Sequence, residues 1–469
     1  MGAFYEFLVT RRPRGMPALK LLAVLAAVVC GAGTAYALAE HESVAVEAPD
    51  QFVFNTISFM LWGALVMWMC AGFTMLESGS VRTKNASMIC LKNIGLYSIA
   101  GIAYYFIGYN LMYVDVGSYI GSFSIGYGPT TDEIALINGT ESAAAEVIAL
   151  GYSTMSDWFF QMVFVATAAS IVSGALAERV KIWSFFIFVL VLTGVIYPIV
   201  GAWTWGEGWL SQLGFKDFAG STIVHSTGGW AALAGLIVVG PRLGKYRKDG
   251  SVKPTPPSNV LVVTLGVFIL WLGWFGFNGG SQLALGSPLD AVAMSHVLVN
   301  TNLAAAAGAL MALFCARPVF GRTDLFACLN GAIAGLVSIT AGPDMVQHYW
   351  AVIIGAIGGV ICTVGMKLLE SVKIDDVVGA VPAHLFAGIW GTLAVCIVSG
   401  GNVGVQLIGI LAIGAFVFLV SWVLWKLIDV VMTVRVTSQV ERLGQDVAEL
   451  GIEAYPEFVL MPEEQDDDQ

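Results

Sequence analysis

His225 and His384 are the residues whose type and setting could do chemistry in this sequence, because each lies eight positions into an apolar run that opens on an aspartate. Asp217 to Gly229 reads DFAGSTIVHSTGG, and 159 positions later Asp376 to Gly388 reads DVVGAVPAHLFAG. Asp217 matches Asp376, Gly220 matches Gly379, His225 matches His384 and Gly229 matches Gly388. At about 1.5 Å of helical rise per residue, each imidazole sits roughly 12 Å inside, near the middle of a hydrocarbon layer about 30 Å thick. An ionisable side chain at that depth points to function. Apolar surroundings disfavour a charge there, so two neutral imidazoles in contact act as donor and acceptor and can share a proton or hand on a small polar molecule. Two plainer readings stand beside this one: satisfied core histidines, or two axial ligands of a haem. The glycines four residues after each histidine, Gly229 and Gly388, favour tight packing over the roomy cavity a haem needs.

Asp217 reads both as the N-cap of its helix and as a buried anion able to stabilise a cation. Asp376 follows Asp375 near Lys373, and leans further toward capping. The aromatic runs WTWGEGW at 203–209 and WFGFNGGS at 274–281 are mostly interface belt or packing. Rings beside an acid are the exception, since a desolvated cation over an aromatic face gains up to about 2 kcal/mol.

The elements that must position these groups are apolar helices. Of 469 residues 57% are hydrophobic and 12% charged, with mean hydropathy +0.79, a balance that excludes a string of soluble domains and describes a polytopic membrane protein. The 54 glycines exceed average usage and fit close helix contacts through small residues. Part of the formal charge of -11 gathers in the acidic C-terminal EEQDDDQ and says little about the interior. The seven cysteines (Cys30, Cys70, Cys90, Cys315, Cys328, Cys362 and Cys396) stand singly and read as small core residues rather than metal ligands.

Apolar runs of spanning length fall at 52–76, 88–114, 157–177, 182–200, 218–239, 259–283, 290–315, 325–341, 346–369, 380–398 and 405–433. The fold class is therefore all-α with eleven transmembrane helices. Residues 1–39 carry Arg11, Arg12, Arg14 and Lys20, then LLAVLAAVVCGAGTAYA, and read as a secretory signal peptide. Residues 40–434 form the membrane domain and 435–469 a polar tail. Lys and Arg collect on alternate loops: Arg82 and Lys84, Arg179 and Lys181, Arg242 to Lys253, Arg317 and Arg322, Lys373, and Arg435 with Arg442; the opposite loops hold only Lys216. That asymmetry places the mature N-terminus outside and the C-terminus inside. Five spans precede the second histidine unit's five, and an odd number of crossings inverts one unit relative to the other, an arrangement common in transporters with a midplane site. The eleventh span is an extra helix.

Several runs in one order resemble the ammonium transporter family (Amt/Mep/Rh): GFTMLESGSVRTKN (72–85), GALAERVKIWSF (174–185), the two histidine motifs, WFGFNGGS, NGAIAGLVSITAG (330–342) and the GQD...AYPEF tail. The resemblance implies a homotrimer, each subunit with its own pore for ammonium or ammonia. By position it makes Trp205, Ser281 and Phe164 an outer ammonium-recruitment site supported by Asp217. It makes Phe164 and Phe277 a stacked gate, Phe160 and Gln161 the approach, and His225 with His384 the paired histidines of the pore. The tail resembles a cytoplasmic regulatory segment on which PII-type proteins dock, although Gly444-Gln445-Asp446 and Leu450-Gly451 depart from the family's usual Gly-Leu-Asp and His-Gly. No cofactor, metal, nucleic acid or enzymatic turnover is implied. An ammonium sensor signalling through its tail is the alternative, against which the lack of an appended kinase or cyclase domain counts. A haem or metal protein using the two histidines is the other rival.

Overall fold

A computed structural model describes residues 48–458. The predicted signal peptide and the acidic C-terminal end lie outside these residues. Ten helices among them are long and apolar enough to cross a membrane. In chain order with one shorter helix they are α1 (Ala48–Ser80), α2 (Thr83–Tyr113), α3 (Thr154–Ala175), α4 (Ile182–Gln212), α5 (Ser221–Val239), α6 (Val260–Gly280), α7 (Pro288–Phe320), α8 (Leu325–Ile339), α9 (His348–Ser371), α10 (Val381–Ser399) and α11 (Val403–Met432). The segment predicted at 325–341 is α8, whose 15 residues make it the shorter apolar helix. No strand is present among the described residues, only isolated bridges such as Val180 with Arg435. In a hydrocarbon solvent every backbone amide must be satisfied within the chain, which leaves the helix as the available element here.

Side-chain caps set the starts of four of these helices, α6, α7, α8 and α11. Asn259 accepts from Leu261 and Val262 at the head of α6, and Ser287 accepts from Asp290 at the head of α7 with Pro288 in the first turn. Helix α3 is the most buried of the spans, and the small residues of its second half (Ala166, Ala168, Ala169, Ser170, Ser173, Gly174, Ala175) let its neighbours approach closely. Helices α7 and α11 lie at the periphery and expose Leu289, Leu310, Phe314, Leu411, Val430 and Val431, the apolar face that lipid or another subunit requires. The same pairings recur in the two halves: α1 packs on α2 and α3, and α3 on α5, while α6 packs on α7 and α8, and α8 on α10. Helix α11 straps α5. The cysteines divide: Cys362 and Cys396 are buried, while Cys90 is exposed on α2.

The repeated motifs fold alike. Gly220 and Gly379 have φ of 107° and 80°, a left-handed turn that glycine adopts without strain. Each is followed by one π-helical turn, Ser221–Ser226 and Val381–Phe386, with the histidine inside it. Asp217 accepts from the amides of Gly220, Ser221, Thr222 and Ile223 at 2.7–3.1 Å. Asp376 accepts from Gly379 and Val381 at 3.1 and 2.8 Å. Both acids are therefore caps, and Asp217 is the more heavily engaged of the two. Asp217→Ala is expected to lower stability by about 2 kcal/mol, the upper end for a lost N-cap, and Asp376→Ala by less. Thermal unfolding of the two variants in detergent measures the order; equal losses would contradict it.

Candidate functional site

The two π-turns cross in direct contact, which the spacing alone left open. A Cβ on Gly229 would lie 2.6 Å from Leu385 Cβ, and one on Gly388 would collide with the Ser221 carbonyl and the Ser226 hydroxyl. Each glycine thus admits the other motif's turn. The Thr222 and Thr392 hydroxyls, 2.6 Å apart, close the crossing. His225 Nδ1 and His384 Nδ1 then stand 3.3 Å apart, both rings buried. Two in-line metal–imidazole bonds need about 4 Å between nitrogens, so no haem fits between these atoms.

Apart from its contact with His384, His225 is held by aromatic faces. It stacks on Trp274 at 4.9 Å and Phe277 at 5.1 Å between ring centroids. Trp274 is itself fixed through its indole N–H, which donates to Thr340 Oγ1 at 2.9 Å. The Nε2 of His225 is buried without a hydrogen-bond partner. His384 faces Phe73, with ring centroids 6.4 Å apart.

One side of the pair ends in a vestibule of about 730 Å³ lined by Phe160, Gln161, Phe164, Trp205 and Ser281, with Asp157, Tyr109 and Glu207. Phe164 and Phe277 stack at 4.0 Å and 30° between this vestibule and His225. Phe160 packs on Phe164 at 4.8 Å and Trp205 meets it edge-on at 6.0 Å. The Trp205 indole donates to the Asp217 carbonyl at 3.0 Å, and the Ser281 hydroxyl to the Phe277 carbonyl at 2.8 Å. The vestibule, the stacked rings and the histidines thus bring together every predicted site residue except Asp217. Its carboxylate is spent on four amides and does not line the vestibule; it fixes the π-turn and, through its carbonyl, the tryptophan.

Asp157 is a further vestibule residue, outside the set that the sequence singles out. It lies one turn before Gln161, accepts from Tyr109 Oη at 2.6 Å and Gln161 Nε2 at 3.1 Å, and puts a carboxyl beside the vestibule's rings. In the sequence it falls on the first residue of a predicted span, where an acid reads as a boundary. Beyond His384 lies a cavity of about 20 Å³, and then a second vestibule of about 280 Å³ lined by Asn330, Asp375, Asp376 and Arg242.

Loops carrying the basic residues converge around that second vestibule. Arg242 makes a bidentate pair with Asp375 at 2.8 Å for both bonds and reaches Glu178 at 2.9 Å; Arg82 also pairs with Glu178. Burial pushes the Asp375 carboxyl up, but the hydrogen bonds and charge of Arg242, with the charge of Arg179, outweigh it and hold it well below the usual carboxylate range. The tail docks on the same loops. Arg435 pairs with Glu441 at 2.8 Å, Glu441 accepts the Leu243 amide at 2.6 Å, and Asp446 accepts the Ser87 and Met88 amides within α2.

The fold and site together define a multi-pass helical membrane protein built on a duplicated, π-kinked histidine helix. The family model described as Ammonium Transporter Family matches residues 57–455, and the chain belongs to that family. It is 39% identical over 444 residues to the ammonium transporter Amt2 of Archaeoglobus fulgidus, a match covering 88% of this chain and 90% of that protein. Among solved structures, a sensor Amt protein superposes with TM-score 0.78 at 35% identity, covering 86% of this chain and 100% of that one. The Mep2 of Candida albicans superposes with TM-score 0.70 at 27% identity, covering 84% of this chain and 89% of its own.

Proposed function

We propose that the chain conducts ammonium across the membrane. NH4+ sheds water against Trp205, Phe164 and Ser281 in the large vestibule and gives its proton to water there before the stacked phenylalanines. It then crosses as NH3 past His225 and His384, a pair able to take and return a proton. The observation that carries this reading is the histidine contact itself: two imidazoles 3.3 Å apart, sealed by aromatic faces, with one ring nitrogen unpartnered. A buried polar atom without a partner is costly, and here it borders the line along which a small N–H molecule would pass. Selectivity follows from deprotonation, because an alkali cation of similar size has no proton to give up and faces the full cost of a dry apolar pore.

Transport is preferred to sensing because the A. fulgidus relative is named a transporter and two vestibules flank the paired rings. An orientation with the Trp205 vestibule outside, in the cell's inner (plasma) membrane, is supported by the basic loops, which meet on the opposite face around Arg242 and Asp375. The homotrimer and a PII-type partner at residues 435–469 rest on the family resemblance, and the docked tail gives such a partner a route to the loops beside Asp376.

Ammonium-driven flux into liposomes containing the purified chain tests the reading. Flux no different from empty liposomes would overturn it. In the same assay Trp205→Leu is expected to raise the half-saturating ammonium concentration by about tenfold to thirtyfold, the effect of losing a cation–π contact of about 2 kcal/mol. An unchanged concentration would remove Trp205 from recruitment.

A further inference from the structure

Glu77 is a buried acid outside the line of vestibule, stacked rings and paired histidines. It sits on α1, 1% exposed, three residues before the helix ends. Its Oε2 accepts from Ser173 Oγ at 2.6 Å and Asn93 Nδ2 at 3.3 Å, and Lys92 Nζ lies 3.9 Å away. Lys92 is itself buried and donates to the Ser173 carbonyl at 2.6 Å. The other oxygen, Oε1, has no hydrogen-bond partner. A carboxylate held on one oxygen and open on the other is half of a site.

The cavity of about 20 Å³ beyond the histidine pair supplies the other half. Glu77 and His384 both line it, with Phe73, Ser170 and Asn330. Its volume admits one water, which needs roughly 10–15 Å³ and two to four polar partners. Asn330 and Val378 line both this cavity and the second vestibule, so they are the remaining wall between Glu77 and the basic face. The ionisable neighbours of Glu77 are Lys92 on α2, the thiols of Cys70 and Cys90, and His384 across the cavity.

We propose that Glu77 is the proton acceptor that follows the histidine pair, reached through one water in this cavity. The proposal rests on the conduction reading above. When His384 carries a proton, the water takes it at its oxygen while giving one of its own to Glu77 Oε1. The products are a neutral imidazole, a neutral carboxylic acid and the water restored. The acid then returns its proton past Asn330 to the second vestibule, regenerating the carboxylate beside Lys92. Charge is conserved at each transfer, and no further reactant is required.

Two readouts on the full chain in liposomes separate this role from simple scaffolding. Glu77→Gln keeps the shape and an acceptor for Ser173, and is expected to lower ammonium-dependent current by about a hundredfold, the low end for a positioned proton acceptor. Ammonia permeability, read as internal alkalinisation by stopped flow, should stay within about twofold, since that signal comes from NH3 that enters alone and takes up a lumenal proton, with no proton crossing through the protein for a positioned acceptor to take. If the lone Lys92 charge prevents folding, Glu77→Gln with Lys92→Met removes both charges together and should show the same split. On the unsubstituted chain, infrared difference spectra should gain a protonated-carboxyl band on ammonium addition. Unchanged current in the variant, equal loss of both fluxes, or absence of that band overturns the role of Glu77. Wild-type liposomes without ammonium flux would instead overturn the conduction reading.

Discussion

Replacing His225 and His384 together by leucine is expected to abolish selective ammonium flux, by about a hundredfold or more, while leaving a folded protein. Leucine fills a similar volume, so the crossing set by Gly229 against Leu385 and Gly388 against Ser221 survives. What is lost is the pair of ring nitrogens 3.3 Å apart. Positioned proton transfer contributes about 10² to 10⁴ in rate, and Phe73, Trp274 and Phe277, the rings around the pair, offer no group to replace it. The single variants should differ. His225 is stacked on two rings and has an unpartnered Nε2, whereas His384 borders the water-sized cavity. His384→Leu should therefore cut current more than ammonia permeability, because it removes the imidazole that opens toward Glu77. Liposome current and stopped-flow alkalinisation on all three variants measure this. Selective uptake that survives in the double variant would end the proton-handling role of the pair.

Much of this arrangement is legible in the chain because it depends on local pattern. Hydropathy places each predicted span on a described helix, and the repeated Asp, Gly and His mark, from spacing alone, two segments that fold alike. The π-turn itself is not legible, since nothing in STIVHS or VPAHLF distinguishes it from an ordinary helical turn. Whether the histidines touch depends on which neighbour each glycine admits, and that is a property of crossing rather than of sequence period. Of the two readings of Asp217, cap and cation partner, the sequence chooses neither, for a related reason. Four backbone amides converge on its carboxylate only once Gly220 turns left-handed, leaving no free oxygen for a cation. Asp157 and Glu77 are harder still. Each is an acid near a span end, where charge is ordinary, and each becomes informative only when the folded chain buries it beside a cavity.

Arg242→Ala is expected to destabilise the protein by about 3–5 kcal/mol, the cost of leaving buried carboxylates without their cation. Arg242 binds both oxygens of Asp375 and one of Glu178, and both acids are buried. The pH dependence fixes the cause. In the intact protein the Asp375 carboxyl lies well below its ordinary value of about 3.9, so its contribution is fully present above that value. It is lost only as pH falls through the depressed folded value. Without Arg242 the burial that pushes the carboxyl up is opposed mainly by the charges of Arg179 and Lys245, with no side-chain hydrogen bond from a cation. The variant then carries a penalty at neutral pH that protonation relieves, and its deficit should shrink as pH falls from 7 toward 4. Asp375→Asn in the Arg242→Ala background should recover part of the loss at pH 7. Unfolding in detergent across that range measures both; a deficit constant with pH would assign the loss to packing instead. The consequence reaches the pore. Asp375 adjoins Asp376, whose carboxylate caps the π-turn holding His384, and the Leu243 amide next to Arg242 is bound by Glu441 of the tail. Loosening this joint should therefore lower ammonium flux in folded Arg242→Ala protein even though Arg242 is separated from the histidines by the cavity that Glu77 lines.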